Sequence, residues 1–285
     1  MNTPDFSILK IHYDYWDRFI TDWLKDAQEE QPFMPEPWWG WTPEEGRLYT
    51  VTVNLSPGPG GMLQSRRCIE CAKIGVDKSY SHVMRGETLR RHLEQTEKWH
   101  LTHRHLPIMR AMGVKERNLP EDTRHHLSLE LNPYHQPKDD SKDKNCDLYS
   151  NYYRLHKSDI FFHILVFAAK AASMITVPDG EHAGCSLRNI VIVRASIKNI
   201  IRYTAGQIKL NEVKIDLPDE SADPGKQCKP VTVKTFRLTP QTQTKDQFDI
   251  SRCLFICVTG PRNNLPAAER LKEIIRQSKE SFDFE

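Results

Sequence analysis

Neither sign of charge dominates this chain: 40 Lys and Arg stand against 38 Asp and Glu in 285 residues. That balance excludes a globally basic, histone-like binder and leaves room for a local basic groove. Seven cysteines, an odd number, supply no disulfide framework, so a reducing compartment is expected. The opening Met1-Asn2-Thr3-Pro4-Asp5 has no basic segment leading into an apolar one, and no signal peptide is expected. Long apolar runs are scarce. The longest, Ile160 to Val177, is broken by His163 and Lys170 and reads as a buried helix rather than a membrane span. No internal repeat is evident. These absences predict a soluble, cytoplasmic protein with no membrane partner, and the length suffices for one large α/β domain.

What is present alternates strands with helices. Residues 11–25 put Trp16, Phe19, Ile20, Trp23 and Leu24 on one helical face. Gln31 to Pro43, with Trp38, Trp39 and Trp41, reads as an extended connector held by aromatic burial. Residues 1–45 therefore form an N-terminal helix and connector packed on a core of residues 46–285, a single domain overall. Strands are expected at Leu48 to Leu55, Leu127 to Leu131, Asn189 to Val193, Val231 to Phe236 and Arg252 to Val258. Helices are expected from about Glu87 to Arg104 and from Ser158 to Ile175, then after the third strand as far as Gly206. A last helix buries Leu271, Ile274 and Ile275, and residues 211–230 read as a polar excursion. The fold class is α/β: three layers, α/β/α, around a central, mostly parallel sheet. Ligands in such folds sit beyond the carboxyl ends of the strands.

Three of those strands end in loops that share one theme. The first empties into Ser56-Pro57-Gly58-Pro59-Gly60-Gly61-Met62, the second into Asn132-Pro133-Tyr134-His135, and the last into Thr259-Gly260-Pro261-Arg262-Asn263-Asn264. In this order they resemble the motifs of the uracil-DNA glycosylase superfamily, most closely its single-strand-selective monofunctional branch. The resemblance spans roughly residues 46–275. It implies a uracil-DNA-glycosylase-like fold, a DNA partner and a monomer; some branches of the superfamily carry a four-cysteine iron–sulfur cluster, but the cysteine spacings here do not match it, and no cofactor is expected.

It also implies roles. The first loop of the family supplies an Asp or Asn that holds the attacking water; Ser56 stands there, and Asn54, on the same side of the strand, can share the task. Serine holds a water by hydrogen bonding but is no useful base near neutral pH. Gly58 falls where uracil-specific relatives carry a tyrosine against the base's C5 position, so the pocket admits a C5 substituent, with Met62 beside it. Asn132 takes the place of the asparagine that reads the extruded base, and His135 adds a polar wall. Arg262 and Asn263 match the DNA-facing Arg-Asn, while Arg66 and Arg67 flank the first loop and can meet phosphates. Each residue also has a plain alternative role, as turn former, loop satisfier or solvated charge.

The sequence departs from the family at its last motif. The His that stabilises the anionic base aligns with Val258, and the family's Ser with Gly260. Candidate replacements are His135, Arg262 and His182. Cys68 and Cys71 form a lone Cys-x-x-Cys without a second pair, and His92, His100, His103 and His105 surround one polar helix without a placed acidic partner, so no metal site is expected. Two readings follow. One is a glycosylase that hydrolyses the N-glycosidic bond of a flipped-out, C5-modified pyrimidine, in base-excision repair or in defence against phages with modified DNA; in a bacterium it would be associated with the nucleoid. The other is a member of the fold that binds DNA or protein without cleaving.

Overall fold

The structure, a computed structural model, describes residues 9, 10, 12, 14, 38–41, 47–54, 106–111, 125–131, 162–176, 186–195, 197–203, 208–217, 229–239, 249–258, 266 and 268–283. In chain order these form β1 (Trp38–Gly40), β2 (Thr50–Asn54), α1 (Leu106–Ala111), β3 (His126–Glu130), α2 (162–173), β4 (Ile190–Arg194), α3 (Ile197–Tyr203), β5 (Ile208–Leu217), β6 (Lys229–Leu238), β7 (Leu254–Cys257) and α4 (Ala268–Asp283). The strands make one seven-stranded sheet in the order β1-β3-β2-β4-β7-β6-β5. Its centre is parallel: β3 pairs β2, β2 pairs β4 and β4 pairs β7 in that sense. The flanks, β1 on β3 and the β7-β6-β5 run, are antiparallel. The chain is thus an α/β protein with a mixed sheet.

The central strands form because their residues suit a covered pleat. β2 and β3 are buried at every position, and successive side chains point to opposite faces, so both faces are covered. On one face Val51, Val53, Leu127, Leu129, Val191 and Val193 continue the apolar core, each nearly fully buried. α4 presents Leu271, Ile274, Ile275 and Ser278 inward, at the spacing of a helical stripe. It lies over β5, β6 and β7, and α1 packs against it. The Arg237 guanidinium sits 3.8 Å above the Phe282 ring and fastens α4 to β6. The crossover from β2 to β3 runs one way along the sheet and that from β3 to β4 the other. Right-handed crossovers then put α2 on the face opposite α1 and α4.

The joints between elements are hydrogen-bonded. Asn189 adopts φ 62°, a left-handed conformation that asparagine tolerates better than most residues. That turn lets Asn189 N donate to Ala172 O at 2.9 Å and Arg188 Nε to Ser173 O at 3.1 Å. Both satisfy carbonyls left over at the end of α2. Asp249 caps the short 3₁₀ turn Ile250–Arg252 by accepting from Ser251 N, which delivers the chain into β7.

The expected strands lie where the alternation put them, within about two residues at each end, and the last helix buries the expected Leu271, Ile274 and Ile275. Residues 211–230 are a correction. Rather than an excursion, they contribute most of β5 and the start of β6, a ten-residue antiparallel ladder from Ile208↔Leu238 to Leu217↔Lys229. β5 is an edge strand whose exposed residues are mostly charged, Lys209, Glu212 and Lys214 beside a single exposed Leu210. Such charges keep an edge from pairing with other chains, and they also disguise the strand. The tryptophan-rich connector adds β1 to the sheet, with Trp41 N donating to His126 O at 2.9 Å. Among the described residues no helix is long and apolar enough to cross a membrane. The expected helix over 87–104 and the aromatic face at residues 16–24 lie outside the described residues.

Phe255 is fully buried and stacks on Phe236 with centroids 4.6 Å apart. Phe255→Ala should cost about 3–5 kcal/mol of stability, read as a shift of the urea midpoint at unchanged slope. A loss below about 1 kcal/mol would mean that this stack is not part of the core.

Candidate functional site

The parallel register places the last residues of three adjacent strands in one row. Glu130 closes β3 and pairs with Asn54, which closes β2; Asn54 in turn pairs with Arg194, which closes β4. Partners across a ladder point to the same face, and register carries that face through Ile192 and Ile256 to Thr235. It is the face that α4 covers further along the sheet. Val258 extends the row on β7. Its N–H donates to Val193 O at 2.9 Å, the next rung after Val193↔Cys257, and strand alternation turns its side chain to the face of Arg194.

Asn54 ties the row together. Its Nδ2 donates to Ser128 Oγ at 2.7 Å and to Glu130 Oε1 at 3.0 Å. Its Oδ1 accepts from Arg194 Nη1 at 3.2 Å. An amide has two N–H donors and two acceptor lone pairs, so both hydrogens are committed and one lone pair remains for a ligand or water. A carboxylate, an amide and a guanidinium thus stand side by side at the carboxyl ends of parallel strands. The crossovers leave β2 and β4 in opposite directions, so the row lies at the topological switch point, where open α/β sheets take their ligands.

Behind the row runs a polar ladder. Thr50 and Thr52 meet the two ring nitrogens of His126, the second contact at 3.2 Å, and Thr52 Oγ1 donates to Ser128 Oγ at 3.4 Å. All are nearly fully buried, Asn54 at 3 % and Glu130 at 1 % exposure. Burial first, and then the nearby Arg194 charge, hold the His126 pKa down to about 3, so its ring is neutral at physiological pH. Such a polar face is costly in a parallel sheet, because aliphatic residues there would need no partners.

A second polar cluster lies with α2. His12 and His163 share a hydrogen bond of 3.1 Å between Nδ1 and Nε2, and the His12 ring stacks on Phe167 at 5.1 Å. Lys170 is buried too. Burial first, and then the neighbouring positive charges, depress both imidazoles, His163 to about 4. Cys253 and Cys257 are free thiols that burial pushes well above the ordinary range, which leaves them unreactive. Among the described residues no group of His, Cys, Asp and Glu is arranged to hold a metal ion.

Of the residues expected to form the site, Asn54 is in the row. Ser56, Gly58, Met62, Arg66, Arg67, Asn132, His135, Arg262 and Asn263 lie outside the described residues, as do Cys68, Cys71, His182 and the histidines at 92, 100, 103 and 105. The ends from which three of the loops depart are in place. Leu131, just before Asn132, donates its N–H to Asn54 O at 2.9 Å, which brings the exits of β2 and β3 together. Glu130, Arg194 and the His126 ladder were not anticipated. Their signal was legible: Thr50, Thr52 and Asn54 alternate with Val51 and Val53, and Ser128 and Glu130 with Leu127 and Leu129. A central parallel strand has no general need of a polar face.

Compared with known proteins, the chain matches no family model, no curated protein and no solved structure.

The buried imidazoles set an acid limit. From the ordinary value of 6.5 down to about 4, the unfolded chain binds protons at His12, His126 and His163 that the folded chain refuses. Stability is therefore complete above that range and falls with pH within it, by up to about 1.4 kcal/mol per unit for each imidazole. Urea titrations at pH 7 and pH 5 should show this loss, and His126→Gln should reduce the slope by about one proton. An unchanged slope in that variant would assign the acid sensitivity elsewhere.

Proposed function

We propose that the chain is a DNA glycosylase acting on a flipped-out, C5-modified pyrimidine. One observation carries the reading. The row Glu130–Asn54–Arg194 stands at the switch point of the parallel strands, from whose ends the glycosylase-like loops depart. Extruding the base delivers its glycosidic bond to a pocket. Asn54, through its remaining lone pair, and Ser56 hold the water that attacks C1′. As the new C–O bond forms, the C1′–N1 bond breaks and its electron pair passes to the base; the water's proton is released to solvent, from which the departing base is reprotonated, leaving an abasic site. Asn132 and His135 read the base edge, while Gly58 and Met62 leave room at C5. Arg66, Arg67, Arg262 and Asn263 meet the DNA backbone, which provides most of the affinity. The three-layer, glycosylase-like form of the fold, a monomeric state and a cytoplasmic or nucleoid location belong to the same proposal.

A second reading has its own observation. Val258, at the family's catalytic His, is apolar and 4 % exposed, which fits a DNA or protein binder that no longer cleaves. One assay separates the two. Oligonucleotides carrying uracil, hydroxymethyluracil, hydroxymethylcytosine or its glucosylated form are incubated with the protein and then treated with alkali. Strand breaks on a C5-modified substrate are expected, and Asn132→Ala should abolish them. The double change Asn54→Ala, Ser56→Ala should slow single-turnover excision by about 10²-fold with DNA affinity retained. Gly58→Tyr should harm bulky C5 substrates most. Binding without breaks on any substrate would favour the binder.

A further inference from the structure

We propose that Arg194 is a catalytic residue of this site, the cation that receives the negative charge developing on the departing base. The proposal rests on the glycosylase reading and deepens it. Excision leaves the bond's electron pair on the pyrimidine, spread over N1 and its neighbouring carbonyl oxygens, and a buried site must supply a donor or a positive charge for it. Val258 can supply neither. Arg194 occupies the adjacent place in the same row, one strand away on the same face, and strands are about 4.8 Å apart.

Three features fit it for the task. The bond from Nη1 to Asn54 Oδ1, 3.2 Å, fixes how the guanidinium is turned, and the planar fork of donors matches a delocalised oxyanion better than an ammonium would. Arg194 is also the one half-buried member of the row, whereas Asn54, Glu130 and Val258 are at most 4 % exposed. It alone both belongs to the network and reaches toward the outside. Finally, two other cations of the fold stand elsewhere. Lys170 belongs to α2 on the opposite face, and Arg237 lies over Phe282 at the far side of the sheet. Glu130 has the complementary place: buried on the other side of Asn54, it accepts one amide hydrogen and so helps keep Oδ1 aimed at the guanidinium.

The test varies the leaving base. In single-turnover excision, Arg194→Gln should slow release of a poor leaving group such as uracil by about 10²–10³-fold, and release of the more acidic 5-fluorouracil markedly less. Arg194→Lys should recover part of the rate. Equal losses on both bases would mark Arg194 as structural and overturn the proposal, with circular dichroism and the urea midpoint reporting whether each variant folds. A second arm needs no turnover. The free base 5-nitrouracil is an anion at neutral pH and uracil is neutral, and their binding is measured by calorimetry. The wild type should prefer the anion, and Arg194→Gln should lose that preference. If the wild type cleaves nothing yet shows this Arg194-dependent preference, the glycosylase reading falls and the anion site stands. If the wild type cleaves but Arg194→Gln binds both bases as the wild type does, the Arg194 assignment falls alone.

Discussion

The amide of Asn54 holds this structure's polar centre together. Both of its hydrogens go to β3, to Ser128 and Glu130, while its carbonyl takes a donor from Arg194 on β4. One small side chain thereby ties three parallel strands at their carboxyl ends and mediates between a buried carboxylate and a guanidinium. The register must be right for this to happen. A slip of one residue in β3 would bring Leu129 opposite Asn54 and turn Glu130 to the other face, beside the aliphatic core. The polar row and the sheet register therefore stabilise one another.

Burying this much polarity demands compensation. A carboxylate taken out of water loses several kcal/mol of solvation even after relaxation, and each hydroxyl, imidazole and amide adds its own cost unless partnered. The ladder partners them in sequence: Thr50 and Thr52 with His126, Thr52 with Ser128, and Asn54 with Ser128 and Glu130. The opposite face of the same strands is wholly aliphatic. A fold shaped only for stability would have made both faces so. The polar face ends at the switch point, where open α/β sheets take their ligands.

The two ends of the sheet do different work. Toward β5 and β6 the ladder is antiparallel and long, exposed on its outer strand, closed on one face by α4 through Phe282 and packed on the other by the Phe236–Phe255 stack. That end is a platform. Toward β3 and β2 the strands are short, buried throughout and joined by crossovers, so the chain returns repeatedly to one edge. Backbone bonds such as Leu131 N to Asn54 O bring the loop exits together there, while the platform keeps the register from moving.

Much of the secondary structure was legible in the sequence because it depends on local patterns. Ile190 to Val193 is a bare apolar run, and Leu271, Ile274 and Ile275 recur at helical spacing; burial of those positions follows from periodicity alone. β5 was hidden because its pattern is that of an edge, with Lys209, Glu212 and Lys214 facing water, and charge on an edge reads as loop. Asn54 was legible as a site residue from its place before a Pro/Gly loop. Glu130 and Arg194 were not, since each simply ends a strand, 76 and 140 residues respectively from Asn54, in no pattern that spacing reveals.

 The sequence by itself determined the central strands, the buried helices and the polar residues that close β2, β3 and β4, because those follow from the alternation of neighbouring side chains. Only the tertiary structure decided that Glu130, Asn54 and Arg194 stand in one row beside Val258, because strand order and register are set by long-range pairing and by the direction of each crossover.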